Sequence, residues 1–162
     1  MGTAVVLDFS SLSGKLTADI LENAFRTIIA PEDTSILLLK TEVFSRKPER
    51  KDENSFSGSD LGFNDIESRK EELYSPPYLG ESGAAWIVKK KFKTIGIDNF
   101  SVDNFYSETL PAHHILLSGN VNIVEYLELS SIKAGIYFFI CLPLKIDNCD
   151  GAPARALLIS YS

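Results

Sequence analysis

Only two histidines occur among the 162 residues, the adjacent pair His113 and His114. A structural zinc site takes four side-chain ligands, and a catalytic one usually takes three plus water, drawn from His, Cys and carboxylate. At most two ligands here could therefore be imidazole. Neighbouring side chains on a helix diverge by about 100°, so if 112–117 is helical the two histidines cannot both face one cation. One of them is open to a ligand role, and the competing roles are capping and packing. Asp98, Ser101 and His113 offer the residue types of a nucleophilic triad, with no geometry in the sequence to join them. No G-x-S-x-G elbow, Walker phosphate loop or dinucleotide glycine fingerprint is present. Lys89, Lys90, Lys91 and Lys93 look like a nucleic-acid patch, but they close a predicted helix, where cations complement the dipole.

The elements that would position these residues follow from apolar spacing. Ala4 to Leu7 is a compact apolar run ending at Asp8. Leu16, Ile20, Leu21, Ala24, Phe25 and Ile28 then recur at helical spacing after the capping candidate Thr17, and Pro31 closes the helix. Ile36 to Leu39 is a second apolar run, so the opening predicts a β-α-β unit with parallel pairing. A helix is predicted near Glu81 to Lys91, then a strand at Thr94 to Ile97, a short helix at Ala112 to Leu117 and a short strand at Val121 to Val124. Ile136 to Leu144 predicts a long buried strand, and Asp150-Gly151 supplies turn chemistry before Ala154 to Ile159. The last two strands should form an antiparallel pair.

Between these elements, about 42–77 is a polar excursion carrying scattered Phe44, Phe56, Leu61, Phe63, Leu73 and Tyr74. Those apolar residues favour a loop packed on the domain, or a lid over a site, above simple disorder. With 44% apolar residues the chain can bury one sizeable core, and a single domain over 1–162 is expected. The net charge of −6 argues against a nucleic-acid backbone or an anionic membrane surface as partner. No apolar stretch is long enough to span a bilayer. Cys141 and Cys149 show no metal or redox spacing, and no secretory signal opens the sequence, so a reducing cytoplasm is the expected compartment.

Gly96-Ile97-Asp98 with Ser101-Val102-Asp103, then Ala112-His113, Leu116-Leu117 and Ile123-Val124-Glu125-Tyr126-Leu127, is similar in order and spacing to the cyclase family that includes bacterial kynurenine formamidase. Leu142-Pro143-Leu144-Lys145 and the segment Asp150-Gly151-Ala152-Pro153-Ala154-Arg155-Ala156 resemble that family's closing hairpin. Weaker similarity covers Ala4 to Asp8, Thr17 to Glu22, Leu37 to Thr41 and Pro77 to Trp86. The resemblance implies an α/β fold of swivelling β/β/α type, a mixed sheet with flanking helices, N-terminally truncated relative to the family. It also implies, in active members, hydrolysis of an amide or ester such as N-formylkynurenine by metal-activated water, with zinc or manganese as the metal.

Under this resemblance His113 matches the family's late metal-ligand histidine and Glu125 its late ligand carboxylate. The family's H-x-G-T-H-x-D-x-P-x-H segment, which supplies the other ligands and a catalytic histidine, has no counterpart here. An incomplete metal site with no catalytic residue is the expectation. Two functional readings result: a metal-dependent amide hydrolase that is inactive or impaired as this chain, or a non-catalytic binding or assembly module that keeps the fold. The expected partners are a small amide substrate or ligand, and a second copy or a homologous chain, which in a variant of the first reading completes the site.

Overall fold

The computed structural model describes residues 1–41 and 76–161. Apart from Pro76 and Pro77, the polar excursion and its lid reading fall outside the described residues. The elements in chain order are β1 (Gly2–Asp8), β2 (Lys15–Leu16), α1 (Ala18–Phe25), β3 (Ile36–Lys40), β4 (Tyr78–Leu79), α2 (Glu81–Lys89), β5 (Thr94–Ile97), α3 (Pro111–Ser118), β6 (Asn122–Val124), β7 (Gly135–Pro143) and β8 (Ala154–Ser160).

Among the described residues six strands form one mixed sheet in the order β6-β5-β3-β1-β7-β8, and β2 pairs β4 separately. β1, β3, β5 and β6 run parallel, as the β-α-β pattern predicts, while β7 and β8 are antiparallel to their neighbours. Ile36–Lys40 is buried at every position because both faces of β3 are covered. Val5, Leu7, Leu37, Leu39, Ile95 and Ile97 pack on the helix side against Leu21, Ile87 and Leu116. Ala4, Val6, Ile36 and Leu38 face the other way, onto Leu127, Leu129 and Phe139.

Three differences from the sequence reading have local causes. Leu16 belongs to β2 and not to α1, because it pairs with Leu79. Helix α1 stops at Phe25 although the apolar spacing runs on to Ile28. There the Thr27 hydroxyl donates to the Ala24 carbonyl at 2.7 Å, and the N–H groups of Thr27 and Ile28 reach back only three residues. That hydroxyl competes for the helix's own acceptor and tightens the last turn. Finally, β7 is a strand as expected but is not buried along its length. Only Phe139 is fully enclosed, and Leu142 is 54% exposed. The three described helices lie over the parallel strands, and of β7 only Ile136 packs against that core.

Helices α1 and α2 are joined by polar and aromatic contacts. Phe25 meets Trp86 and Phe92 edge-on, and the Lys90 ammonium lies over the Trp86 and Phe25 rings. Glu22 accepts hydrogen bonds from Lys90 Nζ at 2.9 Å, Trp86 Nε1 at 2.7 Å and Arg26 Nε at 2.9 Å. Gly83 allows the close approach of α2 to β2, since a β-carbon there would fall 2.5 Å from the Leu16 carbonyl oxygen. Among the described residues, no helix is long and apolar enough to cross a membrane.

The hydrogen bonds to Glu22 from Lys90, then Trp86, then Arg26, hold its carboxyl well below the ordinary 4.5, at about 2. A carboxyl depressed in the folded state stabilises above its unfolded pKa, and that contribution is lost as pH falls toward the folded value. Denaturant melts of Glu22→Gln and the parent chain should therefore differ most at neutral pH and converge as pH drops from about 5 to about 2. A difference that is the same at all pH values would show that the contacts of Glu22 do not depend on its charge.

Candidate functional site

Parallel strands deliver their polar terminal residues to one edge of the sheet. Asp8 ends β1, Lys40 ends β3, Asp98 follows β5 and Glu125 follows β6. Ligands of open α/β sheets bind in the crevice outside this carboxyl edge. Lys40 is 6% exposed there, and its ammonium donates to the carbonyls of Ser130 and Ile132 at 3.0 Å and lies 3.7 Å from Asp8 Oδ2. Partial burial works to raise the Asp8 pKa, but hydrogen bonds from Ser10 and the nearby Lys40 outweigh it and leave the carboxyl below its ordinary range. Asp98, 1% exposed, accepts the Thr41 N–H at 2.7 Å and also the Thr41 hydroxyl. This pairing ties the end of β3 to the end of β5.

His113 sits in the first turn of α3. The turn starts at Leu110, whose φ of 43° places a bulky residue in the left-handed region and whose side chain offers no cap, and Pro111 follows at the first helical position. The missing cap comes from Asp103. Its Oδ1 accepts the Ala112 N–H at 2.8 Å, and its Oδ2 accepts the His113 N–H at 3.0 Å and contacts the His113 ring at Nδ1, 2.8 Å away. The Asp103 side chain is 2% exposed, so the carboxylate lies within the protein at a helix N-terminus, where negative charge is favoured.

The other ring nitrogen, Nε2, lies 3.3 Å from Glu125 Oε1. Glu125 is held from two sides. Its Oε1 accepts the Val102 N–H at 2.8 Å, and the chain after it turns at Tyr126, whose φ is 63°. The Tyr126 and Leu127 N–H groups donate to the Asn99 and Ile97 carbonyls, and the Tyr126 ring packs on Phe100 with centroids 4.9 Å apart. Non-glycine residues with positive φ cost of order 1–3 kcal/mol and cluster at functional sites. Here one such residue precedes His113 by three positions and another follows Glu125 directly.

The two residues singled out by the sequence thus come together from α3 and the segment after β6. His114 is exposed while His113 is half-buried, as their helical divergence requires. The Asp98–Ser101–His113 combination does not form, since the His113 ring contacts Asp103 and Glu125. Sequence reasoning gave Asp103 no role. The signal was present in Leu110-Pro111, a helix start with no capping side chain of its own, which obliges an acceptor to come from elsewhere.

Ligands about 2.0–2.2 Å from a tetrahedral metal stand roughly 3.4 Å apart. The 3.3 Å between Nε2 and Oε1 fits two such ligands, and it equally fits a proton on Nε2 donated to Glu125. The side chains are 24% and 29% exposed, leaving the pair open to solvent and further donors. Among the described residues no three His, Cys, Asp or Glu side chains are grouped to hold a metal ion. A shallow cavity of ≈ 170 Å³ nearby is walled by Asp103, Asn104, Ser107, Lys15 and Tyr78, without His113 or Glu125.

The Cyclase family model matches residues 1–104. A kynurenine formamidase of Geobacillus thermodenitrificans is 42% identical over 82 residues, a stretch covering 51% of this chain and 39% of that enzyme. Among solved structures, an isatin hydrolase bound to the product analogue thioisatinate superposes with a TM-score of 0.73 at 21% identity, covering 99% of this chain and 60% of its own. A predicted metal-dependent hydrolase from Bacillus stearothermophilus superposes with a TM-score of 0.63 at 24% identity, covering 97% and 62%. The two structures establish a shared fold. The chain spans less than two thirds of each of these relatives.

The Thr41–Asp98 pairing should be costly to break, because Asp98→Ala leaves a buried N–H and a buried hydroxyl without their acceptor. Each such loss costs about 1–3 kcal/mol, so the variant should be less stable by at least about 2 kcal/mol in urea titration. A loss below about 0.5 kcal/mol, the range of an inconsequential surface change, would contradict this account of the edge.

Proposed function

The chain belongs to the Cyclase family, and from that premise we propose that it carries part of a metal-dependent amide- or ester-hydrolase site in which His113 and Glu125 hold a zinc or manganese ion. The supporting observation is the convergence of His113 Nε2 and Glu125 Oε1 to 3.3 Å from separate elements. A cation held there would polarise a substrate carbonyl and acidify water. The chain's own residues fix the donors: Val102 N–H restrains the Glu125 carboxylate, and α3 carries the His113 ring to it. Two donors are fewer than the three protein ligands of catalytic zinc sites. The reading is therefore of a chain that binds a metal ion but does not by itself hydrolyse a small amide such as N-formylkynurenine. Catalysis would need further donors from outside the described residues, such as those of a second copy or a homologous chain.

A second reading, a non-catalytic assembly module, is favoured by one feature. Leu142, Leu157 and Ile159 are about half exposed on β7 and β8, and β8 lies at the edge of the sheet. Exposed apolar surface beside an open strand edge is usually covered in natural proteins. In either reading the compartment we assign is the cytoplasm, in keeping with two free cysteines among the described residues.

Calorimetric titration with Zn²⁺ or Mn²⁺ separates the readings. The metal reading expects one ion bound per chain, with affinity reduced more than about 100-fold in His113→Ala and in Glu125→Ala, beyond the effect of removing an outer-shell partner. Unchanged affinity in both variants would refute it. Robust N-formylkynurenine turnover by the isolated chain, abolished by chelation, would keep the metal and overturn the expected inactivity. A monodisperse monomer in solution scattering would count against the assembly reading.

A further inference from the structure

Asp103 makes contacts that suit more than helix capping. A carboxylate can only accept hydrogen bonds. One of its oxygens is engaged by the Ala112 N–H, and the other is shared by the backbone N–H and the ring Nδ1 of one residue, His113. Backbone and ring of His113 thus clamp a single oxygen, which fixes the side chain's torsion as well as its partner. Neither oxygen can turn away without leaving a helix N–H unsatisfied. Water is poorly placed to substitute, because Asp103 is 2% exposed and Ala112 fully buried.

We infer that Asp103 is the positioning residue of this site, keeping a proton on His113 Nδ1 so that the lone pair of Nε2 is directed toward Glu125 and the cation the pair would hold. The role follows from general chemistry. The hydrogen bond made by one ring nitrogen of a histidine decides which nitrogen is free to bind a metal, and such outer partners raise the ligand's basicity and lock its orientation. The cationic half of this inference rests on the metal reading proposed above, whereas the hold on Nδ1 rests on the hydrogen bonds alone. Glu125 cannot substitute for Asp103, since it faces the opposite ring nitrogen and is itself restrained by Val102.

Nitrogen-15 NMR of the imidazole ring tests this directly. In His114→Gln, a change at an exposed position, His113 is the only remaining histidine, so its ring signals are unambiguous. Nδ1 should give a protonated signal both without metal and with Zn²⁺ added. Asp103→Ala should release this restraint, so that a form with bare Nδ1 appears, and should weaken Zn²⁺ binding roughly 10- to 100-fold. A bare Nδ1 in the protein with Asp103 intact overturns the inference, even if the metal binds at His113 and the reading above survives. A protonated Nδ1 in a protein that takes up no metal leaves Asp103 as the residue that sets the tautomer and refutes the metal reading instead. If Asp103→Ala fails to fold, the ring signal of the chain retaining Asp103 still decides the matter.

Discussion

Parallel pairing of β1, β3, β5 and β6 brings four strands to an end at the same edge, and that constraint organises the rest of the molecule. Where each strand stops, its backbone leaves the ladder and polar side chains take over. Thr41 and Asp98 close the gap between β3 and β5, Lys40 is capped by the carbonyls of Ser130 and Ile132, and Tyr126 and Leu127 stay pinned to the end of β5. Burial makes these bonds consequential, because an unmet polar group in such a place costs more than the bond itself contributes. These bonds restrain the edge, and such restraint is what the proposed donor pair, drawn from two separate elements, would require.

The site illustrates how helix termination and side-chain chemistry can share one group. Helix α3 has a left-handed Leu110 at its cap position and Pro111 as its first residue, neither of which can cap it. A carboxylate from the preceding loop fills that role and, through the same oxygen, reaches the histidine ring. The orientation of His113 is therefore coupled to the start of its helix, and any shift of α3 against the β5–β6 end of the sheet would move the ring relative to Glu125. The contacts of Glu125 with Val102, and of Tyr126 with Asn99 and Phe100, oppose that shift from the other side.

Elements with strong local signals could be read from the sequence. Thr17 caps α1 as expected, accepting the Ile20 N–H, and Ile36 to Leu39 forms a central strand because four consecutive apolar residues suit burial on both faces. His113 and Glu125 were assigned through family resemblance, and the fold places them in contact. Features that depend on tertiary context were not legible. β2 and β4 are two residues each, too short to carry a period, and are defined by their pairing. The exposure of β7 was hidden because an apolar run predicts a strand without saying which faces will be covered. Asp103 was missed for a related reason: its partners lie nine and ten residues away, beyond the reach of local capping rules.

The exposed apolar face and the proposed donor pair would make different demands on a partner. Covering Leu142, Leu157 and Ile159 needs only apolar shape, which many surfaces can supply, whereas completing a coordination shell needs His or carboxylate donors placed to within a few tenths of an ångström. A partner chosen for the apolar face alone would leave His113 and Glu125 as they are. The reverse does not hold, since donors brought to the carboxyl edge must be carried by a structure rigid enough to hold them, and such a structure needs an anchoring surface of its own. Assembly on the sheet could therefore exist without metal chemistry, but completion of the proposed metal site from another polypeptide would entail an interface.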